Sequence, residues 1–279
     1  MRLATLRTAD GTVAVTVQDE VAVEIAGSPD VGDLLAHTDW RERALNADGA
    51  RHAVGEIAEG RWAPVVPRPG KIICVGLNYR SHILEMGREL PQYPTLFAKY
   101  PEALVGPFDE IALPPHAASA VDWEAELAVV IGARVRDADA ETAAAAIAGY
   151  SVINDVTMRD YQNRTLQWLQ GKTFEGTAPF GPYLVTTDDF TPGPRIRCTV
   201  NSEPVQDATT DDLVFDPVAL VAYVSSILTL QPGDVIATGT PGGVGHARVP
   251  ARYLDDGDEL VTEVDGIGIL RNRVRGSRS

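Results

Sequence analysis

Three acidic residues in Asp122-Trp123-Glu124-Ala125-Glu126-Leu127 fall on alternate positions, just ahead of the apolar run 127–131. The run makes the segment read as a strand, and at period two Asp122, Glu124 and Glu126 share one face. Carboxylates crowded on a partly buried face repel one another and lose hydration, so the array needs a cation among them. A further acid, Asp155, follows Asn154 near the end of the apolar segment 150–157. With Glu124 and Glu126 it completes an all-oxygen ligand set. Such a set suits Mg²⁺ or Mn²⁺, and also admits Ca²⁺, far better than zinc or copper. The competing reading of the same acids is a group of arginine pairs on a solvated sheet face.

Three other segments carry reactive groups. In Gly76-Leu77-Asn78-Tyr79-Arg80-Ser81-His82-Ile83-Leu84-Glu85 a helix over 79–86 would make His82 and Glu85 neighbours at i, i+3. A carboxylate beside an imidazole orients it and stabilises its protonated form, as a water-activating base requires. Lys172 lies in the glycine- and proline-punctuated segment 167–182, among aromatic neighbours. There it either pins a carboxylate or oxyanion or simply lies over a hydrophobic loop. The last segment is Thr238-Gly239-Thr240-Pro241-Gly242-Gly243-Val244-Gly245, at a strand end. It lacks the Gly-Lys-Ser/Thr of a phosphate-binding loop, and its use is to bring backbone amides and the Thr240 hydroxyl against a small anion.

The elements that must position these groups are short. Residues 1–27 read as a small antiparallel meander broken at Asp10-Gly11 and Gln18-Asp19, followed by helical stretches at 31–36 and 40–47. The segment Pro64-Val65-Val66-Pro67-Arg68-Pro69-Gly70 is too proline-rich for a helix or central strand and marks a boundary. It divides the chain into a small domain, 1–66, and a larger one, 70–279. Beyond it short strands alternate with few helices, which argues for a β-rich α+β domain. Two helices stand out: 139–148, with Asp139 as N-cap and Gly149 as C-cap, and 216–228, opened by Asp216-Pro217.

Composition narrows the partners. Of 279 residues 44% are hydrophobic, and Lys plus Arg total 24 against 39 Asp plus Glu, a net charge of −15. With no basic cluster, nucleic acid and anionic membrane surfaces are excluded. Cys74 and Cys198 stand in apolar strand-like contexts and read as reduced core thiols. No signal-like or membrane-spanning run occurs, so a cytoplasmic protein is expected.

Taken in order, five segments resemble the fumarylacetoacetate hydrolase family. They are Lys71-Ile72-Ile73-Cys74-Val75-Gly76-Leu77-Asn78-Tyr79 with His82 and Glu85, Val121-Asp122-Trp123-Glu124-Ala125-Glu126-Leu127-Ala128, Asn154-Asp155-Val156-Thr157, Gly171-Lys172-Thr173-Phe174, and the segment 238–245. The resemblance covers about residues 70–275. It implies a mixed β-sandwich roll, usually a homodimer, preceded here by a small N-terminal α+β accessory domain. It also implies Mg²⁺ or Mn²⁺ on Glu124, Glu126 and Asp155, a His82–Glu85 dyad on a lid helix, Lys172 as a catalytic cation, and substrate contacts from Gln162 and Thr240, with Gly239 and Asn78 beside them. The implied reaction is hydrolysis of a C–C bond in an acylpyruvate-type 2,4-dioxo acid such as fumarylpyruvate. Alternatives on the same site are oxaloacetate decarboxylation and isomerisation of 2-hydroxyhepta-2,4-diene-1,7-dioate or 5-carboxymethyl-2-hydroxymuconate in aromatic catabolism. A reading of another class is a non-catalytic dicarboxylate binder. Substrate length would be read by Arg80, Arg88, Tyr93, Arg159 and Arg164.

Overall fold

The computed structural model describes residues 1–85 and 87–276, with Glu85 described by its backbone alone. Strands β1 (Arg2–Thr8), β2 (Gly11–Gln18) and β3 (Val21–Glu24) form the expected meander. The turn between β2 and β3 holds Asp19 and Glu20 at φ 50° and 60°, the paired positive values that match the twist of a tight hairpin. Helices α1 (Val31–Leu35) and α2 (Trp40–Leu45) follow, then β4 (Arg51–Ala53). The larger part opens with β5 (Ile72–Gly76), α3 (Arg80–Glu85), β6 (Thr95–Lys99), β7 (Leu104–Val105) and β8 (Ile111–Leu113). It continues through β9 (Val121–Asp122), β10 (Ala125–Ile131), α4 (Ala140–Ala146), β11 (Ile147–Asn154), β12 (Thr157–Met158), α5 (Arg159–Gln162), α6 (Leu169–Lys172) and β13 (Ala178–Thr186). Last come β14 (Arg195–Val200), β15 (Glu203–Thr209), α7 (Pro217–Ile227), β16 (Val235–Ala237), β17 (Glu259–Val264) and β18 (Gly268–Gly276).

The main sheet runs β4-β3-β2-β1-β13-β11-β10-β16-β5-β6, and a second sheet runs β15-β14-β17-β18-β8. Most pairs are antiparallel, with β5 and β16 parallel, so the fold is a β-rich mixed sandwich. The N-terminal strands are hydrogen-bonded into the main sheet, where Arg2 and Leu3 of β1 pair with Val185 and Leu184 of β13. The proline-rich segment 64–70 lies between them: Val65 is buried, its N–H donates to Phe180 and its carbonyl accepts from Thr5 Oγ1.

Strand β10 shows why the sequence there is apolar without interruption. Leu127, Val129 and Ile131 pack into the core shared with the second sheet, while Ala128 and Val130 pack with Val31, Leu34 and Trp40 of the helices on the opposite face. A strand buried on both faces cannot alternate polar and apolar residues. Two expectations require correction. Gly149 lies inside β11 rather than capping α4, because a Cβ there would stand 2.1 Å from the carbonyl of Val185 on β13. The acidic strand is also not continuous, since β9 ends at Asp122 and β10 begins at Ala125. Asn154 explains the break: its side chain accepts from the Glu124 N–H at 3.0 Å and donates to Thr262 at 2.8 Å, in place of a ladder bond.

Candidate metal and active site

The interruption at 123–124 turns Asp122 away from the other two acids. Its oxygens accept from the backbone N–H groups of Gly245 (2.6 Å) and His246 (2.9 Å) and from the Arg159 guanidinium (2.8 Å). Asp122 therefore anchors a loop and does not share a face with Glu124 and Glu126.

Glu124, Glu126 and Asp155 do come together, each offering a carboxylate oxygen within 4.8 Å of the others, and all three are buried. Glu126 enters from the end of β10, Glu124 from the break before it, and Asp155 from just past β11. The Asp155 N–H donates to the Glu124 carbonyl at 2.8 Å and fixes their relative position. Both competing expectations for these acids are partly realised. Arg159, on α5, reaches Glu124 Oε1 at 2.7 Å as well as Asp122. Lys172, at the end of α6, places its ammonium 2.6 Å from Glu124 Oε2 and 2.8 Å from Asp155 Oδ2. Lys172 thus pins carboxylates and is buried, not laid across a loop.

Lys99, which sequence reasoning missed, is a further buried cation beside the acids. Its ammonium donates to the Lys172 carbonyl and stands 2.9 Å from Asp155 Oδ1. Lys99 shares a face of β6 with Phe97, which lines the site, but no local sequence signal shows that this face is inward. Four carboxylates (Asp122, Glu124, Glu126, Asp155) meet three cations (Lys99, Arg159, Lys172), leaving one buried negative charge in excess.

The excess falls on Glu126. Among the described residues it accepts one hydrogen bond, from the Gly239 N–H at 2.8 Å. Burial, then the charges of Asp155 and Glu124, push its carboxyl well above the usual range. Asp155 moves the other way: burial opposes ionisation, but Lys172 and Lys99 outweigh it and hold the carboxyl low. Burial likewise disfavours the Lys172 ammonium, and Asp155 and Glu124 outweigh that and keep it charged. A divalent cation fits this donor set. The ligands are hard oxygens, one carboxylate lacks a counter-charge, and Asp155 Oδ1 makes no aligned hydrogen bond despite the nearby Lys99.

Glu124 and Glu126 line a cavity of about 270 Å³. Its polar end holds Glu124, Glu126, Arg159, Gln162, Lys172 and Thr240, and its apolar wall holds Val75, Phe97, Trp168 and Val244. Trp168 packs edge-on against Phe97 and directly on the Gly76 backbone, where a Cβ would meet the indole at 2.4 Å. His82, on α3, lines the same cavity; the Glu85 side chain lies outside the described residues. Gln162 accepts from Arg159 Nη1 at 2.9 Å, which turns its amide nitrogen to other partners. The Thr240 hydroxyl accepts from Gln206 at 2.7 Å. Asn78 is occupied at both ends of its amide, donating to Phe215 and Thr238 and accepting from the Phe215 N–H. Of the arginines and tyrosine expected to read substrate length, only Arg159 lines the cavity, and it is bonded to Asp122 and Glu124. Arg164 instead lies 3.3 Å above the Tyr161 ring, and Tyr93 is exposed beside Tyr223.

The family model described as fumarylacetoacetate (FAA) hydrolase C-terminal matches residues 71–275. The chain belongs to the fumarylacetoacetate hydrolase family, an enzyme family acting on small molecules. It is 46% identical over 215 residues to the rat oxaloacetate tautomerase Fahd2a, mitochondrial, covering 76% of this chain and 68% of the relative. It is 45% identical over 235 residues to the human oxaloacetate tautomerase FAHD2A, mitochondrial, covering 83% and 74%. Among solved structures it resembles a fumarylacetoacetate hydrolase from Exiguobacterium antarcticum (TM-score 0.87, 35% identity, 99% of both chains). It also resembles a 5-carboxymethyl-2-hydroxymuconate delta-isomerase from Mycobacterium smegmatis (TM-score 0.82, 34% identity, 99% of this chain and 100% of that one). No helix among the described residues is long and apolar enough to cross a membrane.

Proposed function

We propose that the chain is a divalent-metal-dependent enzyme that enolises small 2-oxo acids, with keto–enol tautomerisation of a C4 dicarboxylate of the oxaloacetate type as its principal reaction. The observation that carries the reading is the buried trio Glu124, Glu126 and Asp155, of which Glu124 and Glu126 line a small cavity, flanked by the Lys172 ammonium. The relatives named oxaloacetate tautomerase give the substrate class.

Glu124, Glu126 and Asp155 would hold Mg²⁺ or Mn²⁺, and the ion would supply Lewis-acid polarisation of the 2-oxo group. The chain's own groups do the rest. An ammonium has three N–H donors. Lys172 gives two to Glu124 and Asp155, leaving the third for the oxygen that gains negative charge on enolisation. The Thr240 hydroxyl, already accepting from Gln206, donates its own hydrogen toward the cavity, and the Gln162 amide nitrogen adds another donor. Phe97, Trp168 and Val244 exclude water, which strengthens each of these contacts. His82 takes the proton from the carbon beside the 2-oxo group, and the enolate oxygen takes a proton from water as the enol is released. In the reverse direction the enol oxygen gives its proton to water and His82 returns a proton to the carbon.

A second reading is supported by the same His82. If it deprotonates water instead of carbon, the cavity hydrolyses an acylpyruvate to pyruvate and a carboxylic acid. Enol–keto interconversion of oxaloacetate, followed by ultraviolet absorbance and by deuterium exchange at C3 with Mg²⁺ or with a chelator, tests the principal reading. Acceleration that needs the metal supports it. Cleavage of acylpyruvate without accelerated tautomerisation would replace it by the second.

A further inference from the structure

The proposed site leaves the far end of a dicarboxylate unassigned. Lys172 and Arg159, the cavity's two permanent cations, are each bonded to two buried carboxylates and are already neutralised. Two histidines also line the cavity, and His82 has the proton-transfer role proposed above. The other is His246, on the loop after Gly245.

His246 is held with unusual care for an exposed side chain. Its Nδ1 lies 2.8 Å from the Tyr253 hydroxyl, with the two rings 6.2 Å apart. Its backbone N–H donates to Asp122 Oδ2, the same buried oxygen that receives Arg159, so the loop is tied to the acid cluster. The loop is closed on itself by Arg248 and Arg252, whose N–H groups both donate to the Gly245 carbonyl (3.2 and 3.1 Å). Packing at Gly245 is tight, for a Cβ there would stand 1.9 Å from the Arg252 carbonyl. With Nδ1 committed to Tyr253, Nε2 is the ring's remaining polar atom, and among the described residues no carboxylate lies within ion-pair distance of it.

We propose that His246, braced by Tyr253, is a specificity-determining residue that receives the distal carboxylate of the substrate. The inference rests on the 2-oxo acid reading of the site and adds that a dicarboxylate is preferred over its monocarboxylate analogue. A hydrogen bond to a charged group contributes roughly 1.5–3 kcal/mol, so the preference should be about tenfold or more.

Lactate and malate share a 2-hydroxy acid end and differ by the distal carboxylate, so they form a matched, unreactive pair of probes. Calorimetric titration of the Mg²⁺-loaded protein should show malate binding about tenfold or more tightly than lactate. His246→Phe should reduce malate to the level of lactate and leave lactate unchanged, and Tyr253→Phe should lose part of the preference. Malate preference intact in His246→Phe, or equal weakening of both probes, would overturn the role of His246 alone. Failure of the wild-type protein to bind either probe would overturn the 2-oxo acid reading and this inference with it. Tyr253→Phe removes one hydroxyl from a partly exposed ring and keeps the test interpretable if His246→Phe does not fold.

Discussion

The ammonium of Lys99 stands 2.9 Å from Oδ1 of Asp155, both fully inside the protein. Asp155 thus lies between two lysines. Breaking a buried pair leaves a bare charge and typically costs about 3–5 kcal/mol. Lys99→Met should destabilise the metal-free protein by that order, with part of the loss recovered on adding Mg²⁺. Chemical denaturation with and without the ion checks both halves of the expectation.

Under the proposed metal role, Lys172 would compete with a divalent ion for Glu124 and Asp155. Removing its charge in Lys172→Met should tighten Mg²⁺ or Mn²⁺ binding by about tenfold or more, since like charges this close repel strongly even at moderate effective dielectric. The same change would delete the donor proposed for the developing enolate and should lower turnover about 100-fold or more. Metal titration and kinetics should therefore move in opposite directions. Parallel losses would point to collapse of the site.

Asp122 holds the 245–246 loop and half of Arg159. Asp122→Asn preserves shape but removes the charge that faces the guanidinium and one of two oxygens, each of which accepts two hydrogen bonds. The expected cost is on the order of 3 kcal/mol in denaturant unfolding. Loss of binding to the cavity should accompany it while metal stoichiometry stays at one.

Gly76 carries the Trp168 wall. A methyl group there collides with the indole at 2.4 Å, and Gly76→Ala must displace the ring or the strand. Overpacking of this kind costs roughly 1–3 kcal/mol. A displaced Trp168 opens the cavity to water, so KM should rise, and tryptophan fluorescence should report the movement.

Much of this architecture was readable from the residues. The meander of β1 to β3, the Asp139 and Asp216 caps, which accept from Thr142 and Ala219, and the buried free cysteines follow from local patterning. Local pattern also brought Glu124, Glu126 and Asp155 to one place. It failed where tertiary contacts decide. A period-two count cannot see that Asn154 breaks the strand at Glu124 and releases Asp122 to a loop more than a hundred residues away. Arg159 was expected among the residues that read substrate length, and charge alone does not reveal that its partners are buried acids. Gly149 looked like a cap because its reason for being glycine, the approach of β13, lies outside its own helix. Lys99 was hidden in a short strand whose inward face is set only by pairing with β5.

Whether one cation is held by the three acids is decided by anomalous diffraction from crystals grown with Mn²⁺. A single anomalous peak is expected, within coordination distance of one oxygen from each of Glu124, Glu126 and Asp155, and it should vanish in Glu126→Gln. Crystals at saturating Mn²⁺ with no peak there, and the Lys172 ammonium still seated between Glu124 and Asp155, would contradict the metal-dependent enolisation proposed for this protein.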